Sequence, residues 1–526
     1  RSLAQASIIT RDEATRLGRN WRRKRDGVHE VALVGDAWQR GYANARLNQD
    51  LVEKQEQHLL KTAREFLPNR ASLWLVKQLV GVNNRRLPEF VTEAEKLEVL
   101  GLAEGSVDHH PDDVPLYHRI LNYHAVHDIS HMFIDSPLVS RGEVMGCTGF
   151  AAWGKASFTG DLMVGRNFDF EAGPVFDDDK AVLYVWPEGG IPYVHVAWAG
   201  MAGAVTGMNA KGLYIHLNAG RTEDTGFGRI GTPVCMLVRR VLESAGTIDE
   251  AFALIRDADV FVSDSFLVAS RADGRAVVIE KSPTRCAMRQ AGREGLLLQT
   301  NHFLTEPFTA DAENRRQIET ATTQYRWARL EELTDRHYGQ INPGRALEIL
   351  RDRKGHGDKE LGFGNRNAID AGICSHSVVV NVTTGEMWVS TGPHTFGKYI
   401  RVDVRRMLGA GSEGALRLAN PAEFDLSRDM RLGVAGDLQE FRKVTRTARV
   451  ALDSDDLGAA ETAVRTCVNL NPQSFETEYL RGRLAFAREK YADAAKHFQT
   501  ALDRDPHYEE VRAHIRVWLK RAEQKQ

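Results

Sequence analysis

Two stretches decide how this chain folds: Val144-Met145-Gly146-Cys147-Thr148-Gly149-Phe150 and Gly165-Arg166-Asn167-Phe168-Asp169-Phe170, with Arg166 nineteen residues past Cys147. Each alternates like a strand, and Thr159-Gly160-Asp161 between them is a hairpin-type turn. A turn between about 156 and 161 brings residue 147 opposite residues 166 to 172. Arg166 and Asp169 then reach Cys147 through pairing alone. Residues three apart point to opposite faces of a straight strand, so both reach Cys147 only where the strand ends or twists.

Outward from this hairpin the texture stays β-rich. Strands are expected over 147–153, 162–168, 181–186, 193–198, 203–208 and 213–217, then 266–270, 276–280, 296–300, 377–382 and 386–390. Pro233 to Ser244 carries one apolar stripe, and Thr247 with Glu250 forms a capping-box signature for a second helix. Residues 312–353 read as helix. Hairpins, helices, hairpins and helices in succession predict an α+β chain with antiparallel sheets covered by helices, not an alternating βαβ order.

Residues 1–146 read mainly as helix, and the cluster Arg22-Arg23-Lys24-Arg25 as a solvated N-terminal segment. Residues 409–434, Gly-rich and then polar, read as a linker. From 435 to 526 the pattern is helical and repeats. "DDLGAAETAVRTCVNLNP" and "EKYADAAKHFQTALDRDP" lie 34 residues apart, with Leu457/Tyr491, Ala460/Ala494, Val464/Phe498 and Cys467/Ala501 equivalent. That period resembles tetratricopeptide repeats and implies a possible protein partner for the tail. Holding none of the candidate site residues, the tail is expected to be dispensable for chemistry.

Composition narrows the function classes. Of the 526 residues, 42% are hydrophobic and 27% charged, with a net charge of −2, so no electrostatic footprint points to nucleic acid. No run of eighteen apolar residues is present, and no transmembrane segment is expected. Five scattered cysteines do not make a disulfide framework. The chain begins at Arg1, which leaves a cytoplasmic protein and an exported one with its leader removed equally open.

Chemically, a thiol with a guanidinium beside it is a stronger nucleophile. A cysteine at a chain start has its own α-amine as general base, and an aspartate can orient that amine. Cys147 is internal, so this needs the Gly146–Cys147 bond to be cut. The thiol can attack the Gly146 carbonyl itself, and water then releases the ester.

"GCTGFAAWG" followed by "GDLMVGRNFDF" resembles the N-terminal-nucleophile hydrolases, in particular the autoproteolytic acyltransferase branch related to isopenicillin N acyltransferase. The resemblance covers about 147–400 and implies a four-layer αββα sandwich. The N-terminal segment would be its propeptide, 147–408 the catalytic domain, and 435–526 would lie outside it. It implies Cys147 as nucleophile, Arg166 facing its sulfur, Asp169 facing its amine, and Asn218 and Asn301 as oxyanion-hole groups, with cleavage between Gly146 and Cys147. Further matches are "RWARLEEL" and the closing "SHSVVVNVTTGEMWVSTGP". The bile-salt-hydrolase branch has a further late arginine where Cys374-Ser375-His376-Ser377 has none. Phe168, Phe170, His302 and His376 are candidate substrate-binding residues. The implied activity is that of a self-processing hydrolase of linear amides or an N-acyltransferase, with no cofactor and no metal. Its partners would be an N-acyl amide or acyl thioester substrate and its own cleaved N-terminal segment. Alternatives are an acid-ceramidase-like or phospholipase-like lipid hydrolase, or a non-catalytic scaffold. A metal site on His124, His127 and His131, which share one helix face, is a weaker alternative.

Overall fold

The computed structural model describes residues 3–11, 13–66, 69, 78, 80–111, 114–129, 146–171, 173–225, 228–418, 425–429 and 433–526. Its strands are β1 (Ile9–Arg11), β2 (Ala14–Leu17), β3 (Asn20–Arg25), β4 (Val28–Gly35), β5 (Thr148–Ala152), β6 (Met163–Asp169), β7 (Lys180–Pro187), β8 (Tyr193–Trp198), β9 (Thr206–Asn209) and β10 (Leu213–Ala219). They continue as β11 (Asp264–Ser270), β12 (Arg275–Lys281), β13 (Cys286–Arg289), β14 (Leu296–Gln299), β15 (Lys354–Gly355), β16 (Lys359–Glu360), β17 (Cys374–Asn381), β18 (Glu386–Ser390) and β19 (Tyr399–Asp403). One sheet runs β1-β2-β3-β4-β7-β8-β9-β10-β11-β12-β13 and a second runs β14-β5-β6-β17-β18-β19.

The sheets stack because their strands are apolar on both faces. Along β7, Ala181, Leu183 and Val185 face one core and Val182 and Tyr184 the other, the period-2 alternation of a strand buried on both sides. Three cores result. One lies between the large sheet and helices that include Ala37–Leu47, Glu93–Gly105 and Val234–Ser244. A second fills the space between the sheets, where Val182, Tyr184, Tyr214 and Leu267 meet Ala151, Val164, Val378 and Val380. The third seals the small sheet under Thr323–Arg336 and Pro343–Leu350 through Phe150, Val379, Trp388, Leu330 and Leu347. The order is helix, sheet, sheet, helix: the αββα sandwich.

The N-terminal segment departs from the helical expectation. Four strands occupy Ile9 to Gly35, and β4 adds to the large sheet parallel to β7, from His29↔Ala181 to Gly35↔Pro187. The alternation that makes them strands was hidden by charge. In β3 the arginines Arg22, Arg23 and Arg25 are only partly exposed, and Arg23 and Arg25 both reach the fully buried Glu30. The basic cluster is therefore part of a strand paired on both sides, not a solvated segment. Helices from Ala37 onward follow the expectation, but most of 70–79 and all of 130–145 lie outside the described residues.

The expected linker also carries structure. Gly411–Arg417 is a helix whose Ala415 joins the core between the sheets, and the Ser412 carbonyl accepts from Trp21 Nε1 at 3.0 Å. Beyond it come five helices, Gly433–Asp453, Leu457–Leu470, Phe475–Ala487, Tyr491–Asp503 and Glu509–Glu523. Ala460, Val464 and Cys467 in one and Ala494, Phe498 and Ala501 in its counterpart are buried in a core of their own.

Candidate active site

Cys147 stands just before β5. Pairing of Thr148 with Asn167 and Gly149 with Arg166 continues to a hydrogen bond from the Gly146 N–H to the Asp169 carbonyl at 3.2 Å. The Cys147 thiol donates to that same carbonyl at 3.7 Å and is buried. Arg166 and Phe168 point between the sheets. The Arg166 guanidinium donates to the carbonyls of Val205 and Leu217 and to Thr206 Oγ1, and it lies 4.7 Å above the Phe168 ring. Asn167 points the opposite way, donating to Leu350 O and Ile369 O. Asp169 lies on that opposite face, at the strand end. A Cβ built on Gly146 would stand 3.6 Å from Asp169 Oδ2. Arg166 and Asp169 thus reach Cys147 from two faces, which is possible only because the strand stops there.

Burial sets the electrostatics. It pushes the Cys147 thiol up to about 11, with Arg166 pulling the other way, and raises Asp169 to about 7, opposed by Arg326 and Arg366. Asp169 Oδ1 is buried without a hydrogen-bond partner. The cysteine is therefore a neutral thiol at neutral pH, and a cation near Asp169 would ionise its carboxyl further.

Asn218 Nδ2 donates to Thr300 O at 3.3 Å, and Asn301 Nδ2 to Ala219 O at 2.9 Å. The two amides thus bridge the ends of β10 and β14 across the sheets. Their neighbour, Arg326, was not singled out from the sequence. Buried within Thr323–Arg336, it donates to Cys147 O at 2.6 Å, Thr148 Oγ1 at 3.1 Å and Asn301 Oδ1 at 2.7 Å. It is the first of the two arginines of the "RWARLEEL" segment, and only the tertiary fold connects it to Cys147. The close approach of the sheets here depends on Gly149, whose added Cβ would stand 2.7 Å from His216 Nε2.

The four candidate binding residues separate. Phe168 packs on Phe170, Trp198 and His376, with ring centroids 5.0–6.2 Å apart within this group. His376 Nε2 meets Thr206 Oγ1 at 2.9 Å, and burial holds its imidazole neutral. His302 instead sits against Thr300, Thr323 and Trp327, with burial lowering it to about 3. Trp198 also meets Phe176 and lines a largely apolar cavity of ≈ 120 Å³ with Val52, Leu59, Ile120 and Met201. That cavity lies between the N-terminal helices and the large sheet.

Of the proposed histidine cluster, His131 lies outside the described residues. His124 uses both ring nitrogens: Nδ1 toward Ile120 O at 2.8 Å and Nε2 accepting from Ala202 N–H at 2.7 Å. It is a satisfied core histidine.

Residues 158–366 match the family model of acyl-coenzyme A:6-aminopenicillanic acid acyl-transferase. The match takes in Arg166, Asp169, Asn218, Asn301 and Arg326 and begins just past Cys147. The match lies within the sandwich, whose αββα order agrees with the resemblance to N-terminal-nucleophile hydrolases drawn from the sequence. The chain is also 24% identical over 282 residues to an uncharacterized protein of Archaeoglobus fulgidus, covering 50% of this chain and 45% of that one. It thus spans less than half the length of that relative. Among solved structures it is similar to a Caenorhabditis elegans N-acylethanolamine-hydrolyzing acid amidase ortholog (TM-score 0.33, 19% identity, 45% of this chain and 93% of that chain). It is similar also to a mutant of conjugated bile acid hydrolase from Clostridium perfringens (TM-score 0.32, 13% identity, 46% and 88%).

Proposed function

We propose that this chain is a zymogen that cuts itself between Gly146 and Cys147 and then cleaves or forms a linear amide bond through an acyl-cysteine. The observation that carries this is the placement of Gly146 and Cys147 against the end of β6. The Asp169 carbonyl accepts from both the Gly146 N–H and the Cys147 thiol, and the Asp169 carboxyl flanks the bond to be cut.

In self-cleavage the Cys147 sulfur adds to the Gly146 carbonyl, the C–N bond breaks, and the amine takes a proton. Water then hydrolyses the thioester, leaving Cys147 with a free α-amine. That amine replaces a peptide nitrogen beside Asp169, whose carboxylate accepts a hydrogen bond from its N–H and orients its lone pair toward the thiol. In turnover the amine accepts the thiol proton and the thiolate attacks the substrate carbonyl. Arg166 stabilises the thiolate by its fixed charge. The Nδ2 donors of Asn218 and Asn301 stabilise the tetrahedral oxyanion, a contribution of a few kcal/mol for this type of group. The proton returns to the leaving amine, and water or an acceptor amine resolves the acyl-cysteine. The substrate is an N-acyl amide or acyl thioester whose apolar part meets the Phe168–Trp198 side of the centre. The helical tail, read as tetratricopeptide-like, offers a surface for a protein partner. Intact-mass measurement of the purified protein tests the proposal before any substrate is known. Two pieces, 1–146 and 147–526, are expected, held together until denatured; an uncut active chain overturns the free-amine base.

A further inference from the structure

The C-terminal helices are not a separate appendage. They grip the loop that runs from Lys359 to Gly372. Asn471 Nδ2 donates to Phe363 O at 2.8 Å, and Asn365 and Asn367 both donate to Asp505 O at 3.1 and 3.0 Å. Phe363 stacks edge-on against Phe441, and Lys359 pairs with Asp505. From the tail, Arg442 donates to Gly372 O at 3.1 Å. The gripped loop ends beside the centre: Ile369 O accepts from Asn167, and Arg366 pairs with Glu171, two residues beyond Asp169.

At this junction charge is left over. Three guanidinium groups gather here, Arg366, Arg442 and Arg449, and only two carboxylates, Glu171 and Glu476, pair with them directly. Glu171 is taken by Arg366, and Glu476 by Arg449 at 2.5 Å. Arg366 Nη1 is buried with no hydrogen-bond partner, as is Nδ1 of the adjoining half-buried His507. Arg366 and Asp169 are near enough for each charge to act on the other. Buried guanidinium donors without an acceptor are costly, and a bidentate anion is the partner their planar fork fits.

We propose that Arg366 and the tail's Arg442, with His507, form a subsite for an anionic group, a carboxylate, on the amine side of the substrate. The tail thereby takes part in substrate selection, contrary to what its distance in sequence implied. This rests on the acyl-transfer reading of the Cys147 centre. A carboxylate there leaves the scissile carbonyl on the Cys147 side and the acyl chain toward Trp198.

The test compares the purified full chain with N-decanoylglycine and N-decanoylethanolamine, which differ in bearing a carboxylate or a hydroxyl. The wild type is expected to take the glycine conjugate with the lower KM. R442Q, which retains a donor for Gly372 O, should raise that KM roughly 10- to 100-fold, the range of one charged hydrogen bond. It should leave the ethanolamide within about 2-fold and still cut itself, with R442K intermediate. Equal KM changes for both substrates, or no preference in the wild type, overturn the subsite. If neither amide turns over, the acyl-transfer reading fails separately. Calorimetric binding of N-decanoylglycine to the wild type and R442Q then decides the subsite, with equal or absent binding overturning it.

Discussion

Arg326→Leu is the sharpest perturbation of the centre, because this guanidinium ties three separate elements together. It holds Cys147 O at 2.6 Å, Thr148 Oγ1 at 3.1 Å and Asn301 Oδ1 at 2.7 Å. Hydrogen bonds from a charged group contribute about 1.5–3 kcal/mol each, and a buried acceptor left unpaired carries its full desolvation cost. The bonds share one donor group and do not add, and leucine recovers some apolar burial. The net loss is therefore on the order of 3–5 kcal/mol, a large part of a domain's stability. Arg326→Lys keeps the charge but not the planar fork, so it should hold one acceptor and lose about half as much. The assay is denaturant unfolding of both variants on a Cys147→Ala background, which keeps all chains uncut, beside the rate of self-cleavage in chains with Cys147 intact. Cleavage should slow in the order wild type, Arg326→Lys, Arg326→Leu, because the Cys147 carbonyl and the Asn301 amide lose their anchor together. If Arg326→Leu unfolds within about 1 kcal/mol of its parent and cleaves at the wild-type rate, the anchoring role is refuted.

Cys147→Ala should remain a single 526-residue chain without activity, whereas Cys147→Ser should cleave slowly and turn over worse, since self-cleavage is intramolecular and happens once; mass spectra and amide assays check both. Arg166→Lys should lower turnover despite conserving charge, because one ammonium cannot serve the Val205, Leu217 and Thr206 acceptors in place of a fork; wild-type kinetics would make Arg166 a packing residue. Asp169, raised to about 7, binds a proton in the folded uncut chain that the unfolded chain has already released above about pH 4. Its contribution to stability is thus present at low pH and lost as pH rises through about 7, and Cys147→Ala compared with Cys147→Ala/Asp169→Asn in denaturant titrations at pH 5 and 8 should show that difference.

The sandwich was legible in the sequence wherever one local rule sufficed. Alternation with a turn at Gly160 predicts the β5–β6 hairpin, and its register follows from turn length, so Cys147, Arg166 and Asp169 could be grouped before any fold was known. The capping box at Thr247 and the helical stripe from Val234 to Ser244 are likewise local. The four N-terminal strands were not legible, because their arginines read as solvated until Glu30 and Asp50 supply the partners. Nor was Arg326, whose acceptors Cys147 O and Asn301 Oδ1 lie 179 and 25 residues away in sequence, nor the docking of the tail on the Lys359–Gly372 loop, where Arg442 donates to Gly372 O. Spacing can report pairing between neighbours in the chain. Which buried charge meets which partner depends on how layers stack, and that is decided only when the whole sandwich closes.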